Sequence, residues 1–291
     1  MKPLPEEVAA LYPFPSRFFE TDAGRMHFLD TGAGTRGTVV LLHGNPSWSF
    51  LWRDLVKALA ARGFRCVAPD HVGMGLSDKP RKFLRLADRI AHVEALLAHL
   101  GVEKFSLCVH DWGGAIGCGV AGRAPERVEK LVITNTAAFR SRRIPLRIAL
   151  CKVAGLGPFL VERFNAFALP ATFMAVTKKM PAAVKAGFLL PYGSPRERSA
   201  VANFVRDIPL GPSHPSYATL RDVEAGLEKL RGKPILVAWG GRDFCFDDAF
   251  YAEWRRRFPE AKTLYRADAG HYLLEDAGEE IVPAVADFLE A

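Results

Sequence analysis

The pentapeptide His110-Asp111-Trp112-Gly113-Gly114 puts a carboxylate where an apolar strand would turn sharply into a helix. Lys104-Phe105-Ser106-Leu107-Cys108-Val109 before it is apolar enough for a buried strand. Ala115-Ile116-Gly117-Cys118-Gly119-Val120-Ala121 after it reads as a small-residue helix able to pack closely on a sheet. Such a strand–turn–helix is a nucleophile elbow, here with Asp111 at the nucleophile position and Val109 two residues before it. A serine there needs a base to take its proton, whereas an aspartate with a reference pKa of about 3.9 is already ionised at neutral pH. A bare carboxylate can attack an electrophilic carbon directly and form an ester to the protein. The plain alternative is a strand-end aspartate that caps the following helix.

Turnover requires partners. Cleaving an ester to the protein takes a histidine that activates water. His271, in Asp268-Ala269-Gly270-His271-Tyr272, follows the last expected strand and precedes the terminal helix, where the chain order nucleophile, acid, histidine places the base. An orienting carboxylate, Asp243, stands just after the penultimate strand in Gly240-Gly241-Arg242-Asp243. Strand C-terminal ends converge on the ligand crevice of an open α/β sheet, so Asp111, Asp243 and His271 can meet. Asp247, Asp248 and Asp268 compete for the acid's role. The first two read better as the cap of the next helix, and Asp268 stands only three residues before its histidine. Asn135 follows strand six and cannot serve as an acid. His43 and His110 read as structural histidines beside the site. Asn45 and Trp112 offer N–H donors that can face an anion without competing as nucleophiles, and their backbone N–H groups sit where an oxyanion hole would form. Alternatively, Asn45 turns its loop and Trp112 fills the core. The sequence carries no phosphate-binding loop, dinucleotide fingerprint or metal-ligand spacing, so no cofactor and no metal are expected.

These residues need a scaffold. Ser16 to Glu20 and Arg25 to Asp30 alternate as a hairpin around Asp22-Ala23-Gly24. Thr38 to Leu42, Arg65 to Asp70, Lys104 to Val109, Lys130 to Asn135, Pro234 to Trp239 and Lys262 to Arg266 follow as strands. The continuous apolar run Val39-Val40-Leu41-Leu42 is the pattern of a parallel strand covered on both faces. Helical stretches start near Ser49, span Leu84 to Leu100 and Asp248 to Phe258, and close the chain from about Glu279. Strands alternating with helices predict a mostly parallel, eight-stranded α/β sheet flanked by helices. The alternation breaks after strand six, where Phe139 to Leu230 is rich in Ala, Phe, Leu and Arg and poor in strand character. The expected organisation is a core of residues 1–138 and 231–291 with a helical cap at 139–230. Phe159, Phe164, Phe167, Phe173 and Phe188 give that cap its apolar character, and most of them read as ordinary cap core.

Hydrophobic residues make up 49% and charged residues 24% of 291, ordinary for a soluble globular protein. Met1 to Glu7 lacks the apolar run of a signal peptide, and no stretch approaches the roughly 18 apolar residues of a membrane span. Five cysteines, odd in number and scattered, read as free thiols. Together these features predict a cytoplasmic protein. The net charge of +7 is uneven: Phe139 to Ala225 holds 13 Lys/Arg against 5 Asp/Glu, and the rest 26 against 27. A basic cap can attract an anionic product, a membrane surface or an acidic partner, or be simply a solvated face. No aromatic-interleaved basic stripe is present, which argues against nucleic acid.

His43-Gly44-Asn45-Pro46, the turn Asp70 to Pro80, His110 to Gly114 and the late Gly270-His271 pair resemble the haloalkane dehalogenase branch of the α/β-hydrolases. In finer detail, Asn135 to Phe139, Phe204 to Leu210, His214-Pro215-Ser216 and Asp243 to Asp247 resemble its third subfamily, which overlaps with the β-lactone decarboxylases of bacterial olefin biosynthesis. The resemblance implies an α/β-hydrolase fold, Asp111 as nucleophile, His271 as base, Asp243 as acid, and Asn45 with Trp112 as the anion-holding pair. Asn135 departs from the subfamily whose acid follows strand six. The implied reaction is decarboxylation of cis-3,4-dialkyl β-lactones to cis-alkenes. Haloalkane dehalogenation, epoxide hydrolysis aided by the cap residues Tyr192 and Tyr217, and a receptor without turnover are the competitors. A hydrophobic small-molecule substrate follows, and the resemblance allows assembly with other enzymes of olefin biosynthesis.

Overall fold

A computed structural model describes residues 3–291, so Met1 and Lys2, at the head of the stretch read as lacking a signal peptide, lie outside the described residues. Eight strands form one sheet: β1 (Ser16–Thr21), β2 (Gly24–Asp30), β3 (Thr38–Leu42), β4 (Arg65–Pro69), β5 (Phe105–Asp111), β6 (Val128–Thr136), β7 (Ile235–Gly240) and β8 (Lys262–Arg266). Their order is β1-β2-β4-β3-β5-β6-β7-β8. The β1–β2 hairpin and the β2–β4 pair are antiparallel, and all other pairs are parallel.

The central strands are apolar throughout because both faces are covered. Val40, Leu42, Leu107, Val109, Leu131 and Ile133 pack into one core with Ile90 and Leu97 of helix Leu86–His99 and Ile116 of helix Trp112–Arg123. Val39, Leu41, Cys108 and Val132, one residue out of phase, pack on the other side with Leu55 and Leu59 of helix Arg53–Ala61 and Ile281 and Val285 of helix Leu273–Glu290. Each fully buried Val or Leu of this kind contributes roughly 1.5–3 kcal/mol. The sheet is therefore a rigid base on which strand ends can aim side chains.

Two boundaries differ from the expectation. The helix after β5 begins at Trp112, which leaves Asp111 as the last strand residue, immediately before the helix. The terminal helix begins at Leu273 rather than near Glu279. Its first turn is bent off at Ala277 (φ −135°, ψ 23°), which masks it in the sequence pattern. The bidentate contact of Glu275 with Arg53, at 2.6 and 2.8 Å, fixes that turn on the core.

Between β6 and β7 the described residues form helices and no strand: Leu146–Lys152, Leu156–Phe164, Ala168–Met174, Ala182–Leu189, Ser199–Arg206 and Tyr217–Gly226, with short 3-10 turns. Buried Asp207 ties this segment to the sheet's helices, accepting the Leu86 N–H at 2.8 Å and the Ser216 hydroxyl at 2.6 Å. The phenylalanines do not behave as one core. Phe188 is buried against Tyr272, with rings 4.8 Å apart, but Phe159, Phe164 and Phe173 are 55%, 61% and 62% exposed. The expectation that most of them are cap core is thus corrected: among the described residues, no element covers the outer side of the helices that carry these three. No helix among the described residues is long and apolar enough to cross a membrane.

Candidate active site

Asp111 ends β5 in a backbone conformation (φ 50°, ψ −127°) that a residue with a Cβ rarely adopts. Such a position costs about 1–3 kcal/mol and persists only where its surroundings impose it. Here the pairing of β5 with β6 slips between His110 and Asp111, and the Thr136 hydroxyl donates to the Asp111 carbonyl. A side chain at Gly114 would collide with that hydroxyl, and one at Gly44 would fill the space of the Asp111 carboxylate. Glycine at these two positions lets the elbow close.

The carboxylate is buried, at 7% exposure. Its Oδ1 accepts the backbone N–H of Asn45 at 2.6 Å, and its Oδ2 lies 3.8 Å from His271 Nε2. His271 sits in the turn between β8 and the terminal helix, where Gly270 N–H donates to Asp276 at 2.7 Å. The same Asp276 accepts the N–H groups of Thr177 and Lys178, so it joins the histidine's turn to the inserted helices. His271 Nδ1 donates to Asp243 Oδ2 at 2.7 Å, which turns Nε2 toward Asp111. Asp243 accepts Cys245 N–H on its other oxygen at 2.6 Å.

Asp243 has a further partner that the sequence reading passed over. Asn135, at the end of β6 with φ 33°, donates from Nδ2 to Gly240 O and to Asp243 Oδ2, both at 3.0 Å, while its Oδ1 accepts Gly240 N–H at 2.9 Å. One buried amide thus clamps the end of β7 and holds the carboxylate. The available signal was an amide at a strand end that tolerates positive φ. Asp247 caps helix Asp248–Arg257 through the Ala249 N–H, as its position suggested, and Asp268 lies in an exposed ion pair with Arg266.

Electrostatics follow from burial. Burial lifts the Asp111 carboxyl above its ordinary value, while His271 and the N–H groups of Asn45 and Trp112 pull against that lift. Burial pushes the His271 imidazole down, but the charges of Asp243 and Asp111 and the hydrogen bond to Asp243 outweigh it, and the ring's pKa is raised. The two carboxylates thus favour the charged form of His271 more than water favours that of a free imidazole. His110, whose ring lies 4.4 Å from that of His271, is held neutral by burial. His43 is pushed down to about 4 by burial, and its ring nitrogens engage Gly44 O and His71 N–H, the bonding of a structural neutral histidine.

A cavity opens on Asp111, with about 880 Å³ of space free of atoms once its mouth is included. Asn45, Trp112, Cys245 and Phe246 surround the carboxylate end. Leu86, Phe139, Ile148, Phe167, Val205 and Leu220 form apolar walls, and Ser141 and Arg143 add polarity. One Asn45 Nδ2 hydrogen goes to Val201 O at 3.2 Å, leaving the second for a ligand. Trp112 packs edge-on against Phe204 while lining the cavity. Tyr192 and Tyr217 do not line it; the Tyr192 hydroxyl donates to Ser47 O at 3.3 Å. Among the described residues no group of three or more His, Cys, Asp or Glu side chains is placed to hold a metal ion.

Residues 37–278 match the family model described as alpha/beta hydrolase fold. The chain belongs to the α/β-hydrolase family. This α/β-hydrolase is 41% identical to the cis-3-alkyl-4-alkyloxetan-2-one decarboxylase of Xanthomonas campestris, over 96% of its own length and 97% of the relative's. It is likewise 41% identical to the protein of that name from Shewanella oneidensis, covering 96% and 89%. Haloalkane dehalogenase 2 of Mycobacterium tuberculosis is 34% identical over 95% of the hydrolase and 96% of the relative. The hydrolase also shares its fold with a haloalkane dehalogenase structure from Bradyrhizobium elkani, with a TM-score of 0.86 at 24% identity, covering 95% and 97%.

Proposed function

We propose that this protein is a cis-3-alkyl-4-alkyloxetan-2-one decarboxylase, converting a dialkyl β-lactone to CO₂ and a cis-alkene. The observation that carries the reading is 41% identity over nearly full length to two proteins of that name, against 34% to a dehalogenase. The apolar cavity ending on a buried carboxylate supports it, because two alkyl chains need apolar walls and the strained ring needs a nucleophile. In this reading the Asp111 carboxylate opens the ring by bonding to carbon. Loss of CO₂ and formation of the C=C bond then return the carboxylate to the enzyme. Asp243 orients His271, which places a proton where charge develops, and Asn45 and Trp112 supply N–H donors there. No water is consumed. We further propose that it works in the cytoplasm, in an assembly with other enzymes of olefin biosynthesis.

Haloalkane dehalogenation is the second reading. It is favoured by the free Asn45 hydrogen and the Trp112 indole at the cavity's carboxylate end, a pair suited to a halide. Epoxide hydrolysis loses its support because neither tyrosine lines the cavity. A receptor without turnover is disfavoured by the intact Asp111, His271 and Asp243 array.

Purified protein is offered a synthetic cis-3,4-dialkyl oxetan-2-one and, separately, long-chain bromoalkanes. The proposal expects alkene and CO₂ from the lactone well above a buffer control. Halide release with the lactone untouched overturns it in favour of dehalogenation. In that case His271→Ala accumulates an alkyl adduct on the intact protein.

A further inference from the structure

Among the described residues the fold leaves ten large apolar side chains exposed, and eight of them fall between Leu146 and Phe173. Leu146 is 86% exposed, and Leu150, Leu156, Phe159, Phe164 and Phe173 follow on three neighbouring helices. These side chains are not scattered. Leu146 and Leu150 stand four residues apart on one helix face. The Phe159 and Phe164 rings meet edge to face at 5.5 Å, and Arg147 reaches the Met174 sulfur across to the third helix. Contiguous apolar surface of this kind marks an interaction site.

The charges beside it select the partner. From Arg142 to Lys179 there are seven Lys/Arg and one acid, Glu162. Arg142, Arg147, Arg163 and Lys179 are exposed and form no ion pair among the described residues. Leu and Phe side chains among unpaired guanidinium and ammonium groups match the two layers of an anionic bilayer surface, acyl boundary and phosphate. The same helix that presents Leu146 and Leu150 outward turns Ile148 into the cavity, and Ile144 and Pro145 just before it are cavity lining too.

We infer that the outer face of helices Leu146–Lys152, Leu156–Phe164 and Ala168–Met174 docks on an anionic lipid bilayer, with the cavity wall from Arg143 to Ile148 at the contact. The use of that contact, exchange of long-chain substrate and alkene with the lipid phase, rests on the dialkyl-lactone reading. The contact itself does not.

The test is co-sedimentation of the full chain with vesicles of phosphatidylcholine alone or mixed equally with phosphatidylglycerol. Binding is expected to the mixed vesicles, to weaken with added salt, and to be slight with phosphatidylcholine alone. Phe159→Ser with Phe164→Ser, and independently Arg147→Gln with Arg163→Gln, each lower the partition coefficient roughly tenfold or more. Both pairs lie outside the cavity, so turnover of detergent-dispersed substrate and the circular dichroism spectrum stay as in the parent. No binding to anionic vesicles, or equal binding by both variants, overturns the inference. So does a dimer in sedimentation velocity that Phe159→Ser with Phe164→Ser dissolves while vesicles are ignored, which assigns the face to a second copy. Vesicle binding is read without substrate. Its failure is therefore distinguishable from failure of the lactone assay.

Discussion

Around Asp111 the chain commits a positive φ, a slipped strand register, two glycines and the N–H of Asn45 to placing one carboxylate. Across helices Leu146–Met174 it does the opposite, leaving Leu146, Phe159, Phe164 and Phe173 exposed, with no covering element among the described residues. Both regions touch the same cavity. The first supplies its floor and its charge, the second its outer wall. The contrast separates chemistry, which needs sub-ångström placement on rigid strands, from substrate fit, which needs only apolar walls of the right shape. A change at the strand ends should alter kcat, and a change on the cavity-facing side of the inserted helices should alter substrate preference.

The contrast breaks first at Asp243. Asp243→Asn removes the acceptor that orients His271 at 2.7 Å and should lower kcat by roughly three to four orders of magnitude with the fold intact. A steady-state loss of less than about tenfold would mean that the strand ends do not hold the chemistry. Asn135 sharpens the same point one layer out. Asn135→Ala should cost about 10- to 100-fold in kcat with KM little changed. Asn135→Asp should cost more, because it sets a second carboxylate where the amide lies 3.0 Å from Asp243.

Stability against pH tests the buried histidines around the elbow. His43 has a folded value near 4 and an unfolded value near 6.5, so its neutral form stabilises the fold above about pH 6.5. That contribution is lost as pH falls toward 4, because the unfolded chain takes up the proton first. His43 alone should remove about 2 kcal/mol between pH 7 and pH 5, measured by denaturant unfolding. His271 runs the other way: its raised pKa stabilises at low pH and fades as pH rises through the folded value. A His43→Gln variant that loses as much stability as the parent between pH 7 and pH 5 would remove the claim that His43 is buried neutral. The smallest effect belongs to the wall. Ile148→Ala should change kcat/KM for the longest chains about tenfold or less and leave short chains nearly unaffected, read from a chain-length series.

The sheet was legible because burial on both faces forces short unbroken apolar runs such as Val39 to Leu42, whose length and flanking turn residues mark them as strands. The elbow was legible because Asp111 sits between one of those runs and a run of small residues. Asn135 was visible but assigned no role, since a clamp on Gly240 and Asp243 depends on a neighbouring strand more than a hundred residues away. The first turn of the terminal helix was hidden by the break at Ala277. The exposed phenylalanines were misread for a general reason. Periodicity shows which face of a helix is apolar, but not whether anything covers it.

The most direct measurement is alkene formation from a cis-3,4-dialkyl oxetan-2-one by Asp111→Ala, with circular dichroism confirming the fold. The account predicts a yield no greater than buffer, since among the described residues no second carboxylate lines the cavity. Alkene at a tenth of the parent rate or more would show that the Asp111 oxygen does not make the bond to carbon.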